Sequence, residues 1–330
     1  MRFSLRLNND LTLPEYVALA QIAEKAGFDQ FWVSNDLFLR SAPVILSAIG
    51  TATERIEIGS CILNPYTIHP AEIAMLAATM DELTGNRFNL GMAAGAADFL
   101  QWIGLSHGSP LAAMQETINA IRALQAGERV PLAGKFLKWQ DEAYLRFEAP
   151  RITPIYLGAL GPNMLRLAGE LADGVLPLLF PPEHYFGVKP YLEEGAQLRN
   201  NNLHDLDFAA CIWVSLAEDE AAARRVLAEK VAYYGPSLSP LILERLGLTL
   251  AEFDPIKQAV MVENDMDKAC GLVDERMLKI GVVGRPEALI ARLEPLVEAG
   301  VRHLSFGPPL GPNLKTAIEL LGNHVLPYFK

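Results

Sequence analysis

Short apolar runs alternate with amphipathic stretches along almost the whole chain. Residues 2–7 (RFSLRL), 28–35 (FDQFWVSN), 56–63 (IEIGSCIL), 88–95 (FNLGMAAG), 154–160 (PIYLGAL), 174–180 (GVLPLLF), 207–215 (DFAACIWVS) and 303–309 (HLSFGPP) read as strands buried on both faces. Between most of them lie segments with apolar residues at helical spacing. LPEYVALAQIAEKAGF ends at Gly27, a residue suited to a left-handed helix cap. HPAEIAMLAATMDELTG places Pro70 where a helix can begin without losing a hydrogen bond.

Repeated strand–helix units predict a parallel sheet, and eight of them predict a (β/α)8 barrel. A doubly wound open sheet is the alternative. The first turn, LNNDLTL, has no GxGxxG, which disfavours it. Two segments break the rhythm. Residues 134–147 (GKFLKWQDEAYLRF) read as a short ribbon. Residues of about 216–280 are too long for a crossover and read as several helices, an insertion before the eighth strand that lids the barrel or builds a dimer contact. GVVGRPEALIARLEPLVEAG then resumes the barrel. The whole of 1–330 reads as one barrel domain carrying that insertion.

Composition narrows the partners. The formal net charge of −11 argues against a nucleic-acid or anionic-membrane surface. The three cysteines, Cys61, Cys211 and Cys270, form no CxxC pair and fit a reducing, cytoplasmic compartment. The N-terminal stretch has no apolar h-region, and no run of about 18 apolar residues is present, so neither a secretory signal nor a membrane span is expected.

A barrel of this kind does its chemistry at the C-terminal strand ends. Those loops hold no metal-ligand cluster, GxSxG elbow, Schiff-base lysine or apposed carboxylate pair, so no metal site is expected. Small apolar strand ends with few ionisable groups suit a flat cofactor that carries the reactivity itself. The polar candidates are few. Asn64 could bond the edge of such a ring. Asp36, with Asn35 as its rival, could cap a loop or meet cofactor or substrate. His69 either starts a helix or stands near the ring. Arg6, on an inward strand, needs an acid, a phosphate or solvent beside it. Asp98 is a helix cap or an acid. Cys61 reads as a small buried hydrophobe, Trp32 and Trp102 as packing residues, and His303 as structural. The turn GALGPN, 158–163, leaves backbone N–H groups uncovered at a helix start, where anions bind.

The pieces ILNPYTIHPAEIA, MDELTGNRFNLGMAAG, PIYLGALGPNMLRLAGELADGVL, LILERLGL, GVVGRPE and FGPPLGPNLKTAIELLG occur in order over most of the chain. In them the sequence resembles the bacterial luciferase-like superfamily, and within it the methylenetetrahydromethanopterin reductase branch, which uses the deazaflavin coenzyme F420. The resemblance implies a barrel, commonly a homodimer, with a flavin or deazaflavin on the third and fourth strands. It implies a non-prolyl cis peptide at Cys61–Ile62. It implies cofactor contacts at Cys61, Ile62, Leu63 and Asn64, at Ala94 and Gly95, and at the phosphate-binding turn of Gly158, Ala159, Leu160, Gly161, Pro162, Asn163 and Met164.

The chain departs from that branch at telling places. It has Arg6 for a glutamate, Ala96 for the aspartate of GPGD, and SNDLF where the second loop reads Asp-His. The resemblance therefore implies an oxidoreductase moving hydride between F420 and a small organic substrate, without implying the pterin. Asp36, Asn64, His69, Asp98 and Arg6 are the candidates for its catalytic groups. An FMN-dependent monooxygenase and a barrel that binds a cofactor without turnover are the alternatives.

Overall fold

The computed structural model describes residues 1–129, 131–178, 181–199, 205–238 and 240–330. Eight parallel strands form its centre: β1 (Arg2–Leu7), β2 (Gln30–Val33), β3 (Glu57–Ser60), β4 (Phe88–Met92), β5 (Ile155–Leu157), β6 (Gly174–Val175), β7 (Asp207–Leu216) and β8 (His303–Leu310). Each pairs with the next in chain order. β8 also pairs with β1, so the sheet closes into the expected (β/α)8 barrel. Helices cover the ring, so β1, β2 and β4 are buried almost throughout, which is why they read as continuous apolar runs.

The helices are α1 (Leu13–Ala26), α2 (Ala42–Ala52), α3 (Pro70–Thr84), α4 (Pro110–Gln125), α5 (Pro162–Leu171), α6 (Tyr185–Leu198), α7 (Glu220–Tyr234), α8 (Pro286–Glu298) and α9 (Leu314–Leu320), with shorter turns between them. Thr12 and Glu15 form a reciprocal capping box at the start of α1, and Gly27 ends it in the left-handed region, at φ 90°. α7 begins the insertion. With Trp213 of β7 and shorter helices at Pro240–Glu244, Asp254–Met261 and Met266–Gly271, it builds a second apolar cluster around Leu227, Val231, Phe253 and Ile256.

Four local expectations need correction. Most strands are shorter than the apolar runs, because their C-terminal residues leave the ring to form the loops above it. In the run 174–180, only Gly174–Val175 is regular, Leu178 makes an isolated bridge to Cys211, and residues 179 and 180 lie outside the described residues. The ribbon pairs Leu132–Ala133 with Lys138–Trp139 and leaves 140–147 without a strand. Its tip is held by Glu116, whose carboxylate accepts the N–H groups of Lys135, Phe136 and Leu137 at 2.9, 2.9 and 2.8 Å. Val282–Gly284 is an extra strand on the end of β7, outside the ring. Trp102 is 64% exposed and packs no core, whereas Trp32 is fully buried.

The N-terminal mouth of the barrel is closed by a polar plug. Asp207 accepts bonds from Arg2 Nη1 at 2.7 Å and Tyr156 Oη at 2.6 Å, and lies 2.8 Å from His303 Nδ1. His303 Nε2 reaches Ser4 Oγ at 2.8 Å, so this histidine is structural, as expected. Glu57 accepts from Arg2, Gln30 and Asn89, each at 2.8 Å. Above the plug, the rings of Trp32 and Tyr156 meet edge to face at 4.9 Å. They lie so close over Gly59 and Gly174 that a Cβ at either position would come within 2.2 Å of a ring atom.

Burial alone would raise the Asp207 carboxyl. His303, Arg2 and the Tyr156 hydroxyl outweigh it and hold the group down, at about 2. The folded-state value lies below the unfolded one, so its contribution to stability is present above roughly pH 4 and is lost as pH falls through about 2. Asp207→Ala takes the carboxylate partner from the Tyr156 hydroxyl and from His303 and leaves Arg2 with Glu57 alone, and is expected to lower the unfolding free energy by about 2–4 kcal/mol at neutral pH. Urea denaturation read by tryptophan fluorescence checks this. The difference from wild type should shrink toward about pH 2.

Candidate active site

Above the plug, at the C-terminal strand ends, lies a cavity of about 590 Å³. Strands and loops deliver its walls. Arg6 comes from β1, Asn35, Asp36 and Leu37 from the loop after β2, and Cys61, Ile62 and Asn64 from the end of β3. Ala93, Ala94, Gly95 and Ala96 follow β4, Gly158, Ala159 and Leu160 follow β5, and Met164 stands in the first turn of α5. Phe99 and Leu100 of the short helix after β4, with Leu176, Leu178 and Tyr234, complete the lining. A second concavity, also about 590 Å³, lies at the opposite face around Arg2, Glu57 and Asp207, charges that the plug already pairs with one another.

Several features give the upper cavity its chemistry. The Cys61–Ile62 peptide is cis, as the resemblance implied. Asn64 is buried and turns its Oδ1 back onto the N–H groups of Tyr66 and Thr67, at 3.1 and 3.0 Å. Its Nδ2 therefore remains a donor with no partner among the described residues. Gly161, the residue before α5, provides no side-chain cap, and Arg166 donates to Asn163 Oδ1 and to Glu194. The N–H groups of that first turn therefore have no side-chain cap.

Asp36 is placed by Asn9, a fully buried side chain whose amide donates to the Asp36 and Arg40 carbonyls at 3.0 and 2.6 Å and accepts the Asp36 N–H at 3.2 Å. Asn35 is tied down, its Oδ1 accepting the Ala42 N–H at 3.3 Å. The Asp36 carboxylate has no hydrogen bond among the described residues. Burial raises it; Lys230 draws it partly back and Asp10 adds to the rise. Burial likewise raises the Cys61 thiol despite Arg6 nearby.

Arg6, Asp36, Cys61, Ile62, Asn64, Ala94, Gly95, Gly158, Ala159, Leu160 and Met164 are thus brought together around one space. The other candidates stand elsewhere. His69 caps α3, its Nδ1 accepting the Ala71 N–H at 3.2 Å, and does not line the cavity. Asp98 is exposed on the short helix Ala97–Trp102, and Leu63 is core. Gly161, Pro162 and Asn163 are exposed at the helix start beside the cavity.

Sequence reasoning missed Lys230 and Tyr234. Tyr234 lines the cavity, and the Lys230 Nζ sits 4.1 Å from the centre of its ring and 5.3 Å from that of Trp213. Both belong to α7, far along the chain, and a lysine in EDEAAARRVLAEKVAYYG carries no signal that separates it from solvated neighbours.

Comparison with known proteins bears on this geometry. The sequence profile of the family described as luciferase-like monooxygenase matches residues 1–303. The chain belongs to that family. Its luciferase-like relatives include 5,10-methylenetetrahydromethanopterin reductase of Archaeoglobus fulgidus, 31% identical with all of both chains covered. F420-dependent glucose-6-phosphate dehydrogenase of Microbacterium testaceum is 28% identical, with 99% of this chain and 97% of that one covered. The solved structure of coenzyme F420 dependent tetrahydromethanopterin reductase from Methanopyrus kandleri superposes with a TM-score of 0.93 at 31% identity, covering 100% of this chain and 99% of the other.

In this luciferase-like barrel the insertion carries a cation toward the cavity rim. Burial brings Lys230 down to about 8, against the opposing pull of Asp36. A lysine lowered on folding costs stability at neutral pH, and the cost fades as pH rises from about 8 toward the unfolded value of roughly 10.4. Lys230→Met is therefore expected to stabilise the protein by about 1–3 kcal/mol near pH 7, a gain that shrinks over that interval. Urea midpoints measured across the range check it.

Proposed function

We propose that this chain is an oxidoreductase that transfers hydride between coenzyme F420 and a small organic substrate. One observation carries the reading: an apolar cavity of cofactor size at the C-terminal strand ends, with the Asn64 Nδ2 donor, which has no partner among the described residues, on one wall and a helix start without a side-chain cap on another. Full-length relatives named as F420-dependent enzymes support the choice of cofactor.

The residues present suit that group. Ala93, Ala94, Gly95 and Gly158 leave small walls for a ring, the Asn64 amide would donate to a ring edge, and the backbone N–H groups of Asn163 and Met164 would hold a phosphate. The deazaflavin, bound in reduced form, supplies the hydride. Asp36, held by Asn9 with a raised carboxyl, holds a proton for the substrate and accepts it in the reverse direction. Leu176, Leu178 and Tyr234 keep water from the reacting face. The pterin of the methanopterin reductases is not carried over, because Arg6 and Ala96 replace the two acids there. A homodimer in the cytoplasm completes the proposal; exposed Val44 on α2 and Met75 and Leu83 on α3 are apolar residues that such a contact would cover.

Fluorescence titration with oxidised F420 and, separately, with FMN tests the assignment. F420 is expected to bind, and FMN binding alone would redirect it to a monooxygenase. Gly161→Asp sharpens the test. A Cβ at Gly161 meets nothing within 4 Å, and aspartate is a favoured cap, so the fold should be kept or strengthened. The same carboxylate takes the helix N–H groups and repels a phosphate, so F420 affinity should fall by about tenfold or more. Unchanged affinity would place the phosphate elsewhere.

A further inference from the structure

We propose that Arg6 is an anion-recognition group, and that the substrate of this cavity carries a carboxylate on an apolar body. The inference takes from the proposed function only that substrate and cofactor share this space. Arg6 is 3% exposed, yet it lines the cavity. Its Nε donates to Ser305 Oγ at 3.0 Å, its Nη2 to the Ala209 carbonyl at 2.6 Å, and its Nη1 contacts Cys61 Sγ at 3.8 Å. A guanidinium has five N–H donors, so two are left over.

No carboxylate among the described residues lies within ion-pair distance of Arg6. Two thiols, Cys61 and Cys211, feel its charge. Burial raises Cys61, and raises Cys211 to about 11, so neither supplies a negative charge near neutral pH. Asp36, the other charged residue on the cavity wall, has Lys230 and Asp10 as its charged neighbours. A buried guanidinium with a permanent charge and no counter-ion is costly, and its planar fork matches a carboxylate in two parallel bonds. The cavity that Arg6 lines is mostly apolar, with Ile62, Leu176 and Leu178 among its walls. An acid head on an apolar body satisfies both.

The test is calorimetric titration of the protein loaded with oxidised F420, and of the apoprotein, with hexanoate and with hexanamide. The expected result is hexanoate binding about tenfold more tightly than its amide. That preference should vanish in Arg6→Gln and persist in Arg6→Lys. Equal binding of acid and amide to folded wild type overturns the proposal, as does a preference that survives Arg6→Gln. If Arg6→Gln instead weakens F420 binding and wild type shows no acid preference, the cofactor is what Arg6 serves and the proposal again falls. Failure of F420 to bind at all would remove the cofactor assignment alone, since the acid–amide comparison on the apoprotein still decides the role of Arg6. The wild-type comparison decides it even if Arg6→Gln does not fold.

Discussion

A closed parallel barrel has an interior without water, so a polar side chain placed inside it must bring its partner with it. The rest of this structure depends on how that constraint is met at the two ends. At the N-terminal mouth it is met completely. Asp207 and Glu57 gather Arg2, His303, Tyr156, Gln30 and Asn89 from strands all around the ring, and the resulting plug ties those strands in register. Its pairs are internal, so that end has little left to offer a ligand.

At the C-terminal mouth the constraint is met incompletely, and the incompleteness is where function resides. Among the described residues, Arg6 has neutral partners, Asn64 keeps a spare donor, Asp36 has a carboxylate without a hydrogen bond, and α5 has no side-chain cap. Each is an interaction short of what its neighbours provide. A bound ring with a phosphate tail, together with an acidic substrate, would supply the missing ones. The same barrel thus separates stability from chemistry along its axis, the plug holding the strands so that the loops above can be left unsatisfied.

The insertion adds a second layer to that division. Its apolar cluster seats α7 over Trp213 at the end of β7. This brings Tyr234 to the cavity and Lys230 within electrostatic reach of Asp36, so the charge state of the proposed proton donor depends on residues nearly two hundred positions away. Asn9 acts from the other side, fixing the backbone that presents Asp36. The acid is therefore set from two sides, by α7 and by the loop after β1.

Periodicity and turn residues were enough to reveal the strands, the main helices and their order, because strands buried on both faces must be apolar and helices packed on them must be amphipathic. Eight such units leave few ways to close. Gly27, Pro70 and the GALGPN turn were legible for the same local reason: backbone geometry constrains the residue type. Motif resemblance added the cofactor class and the position of the cis peptide. Only the tertiary structure decided which polar candidates meet. His69 and Asp98 have the right chemistry at the right strand ends, but helix geometry turns them outward, while Arg6 and Asp36 face inward. Lys230 and Tyr234 were invisible because their role comes from contact across the fold, and an amphipathic helix records which face is buried without recording against what. Likewise, the sequence showed that Arg6 would need a partner, and only the packed barrel showed that none of the described acids pairs with it.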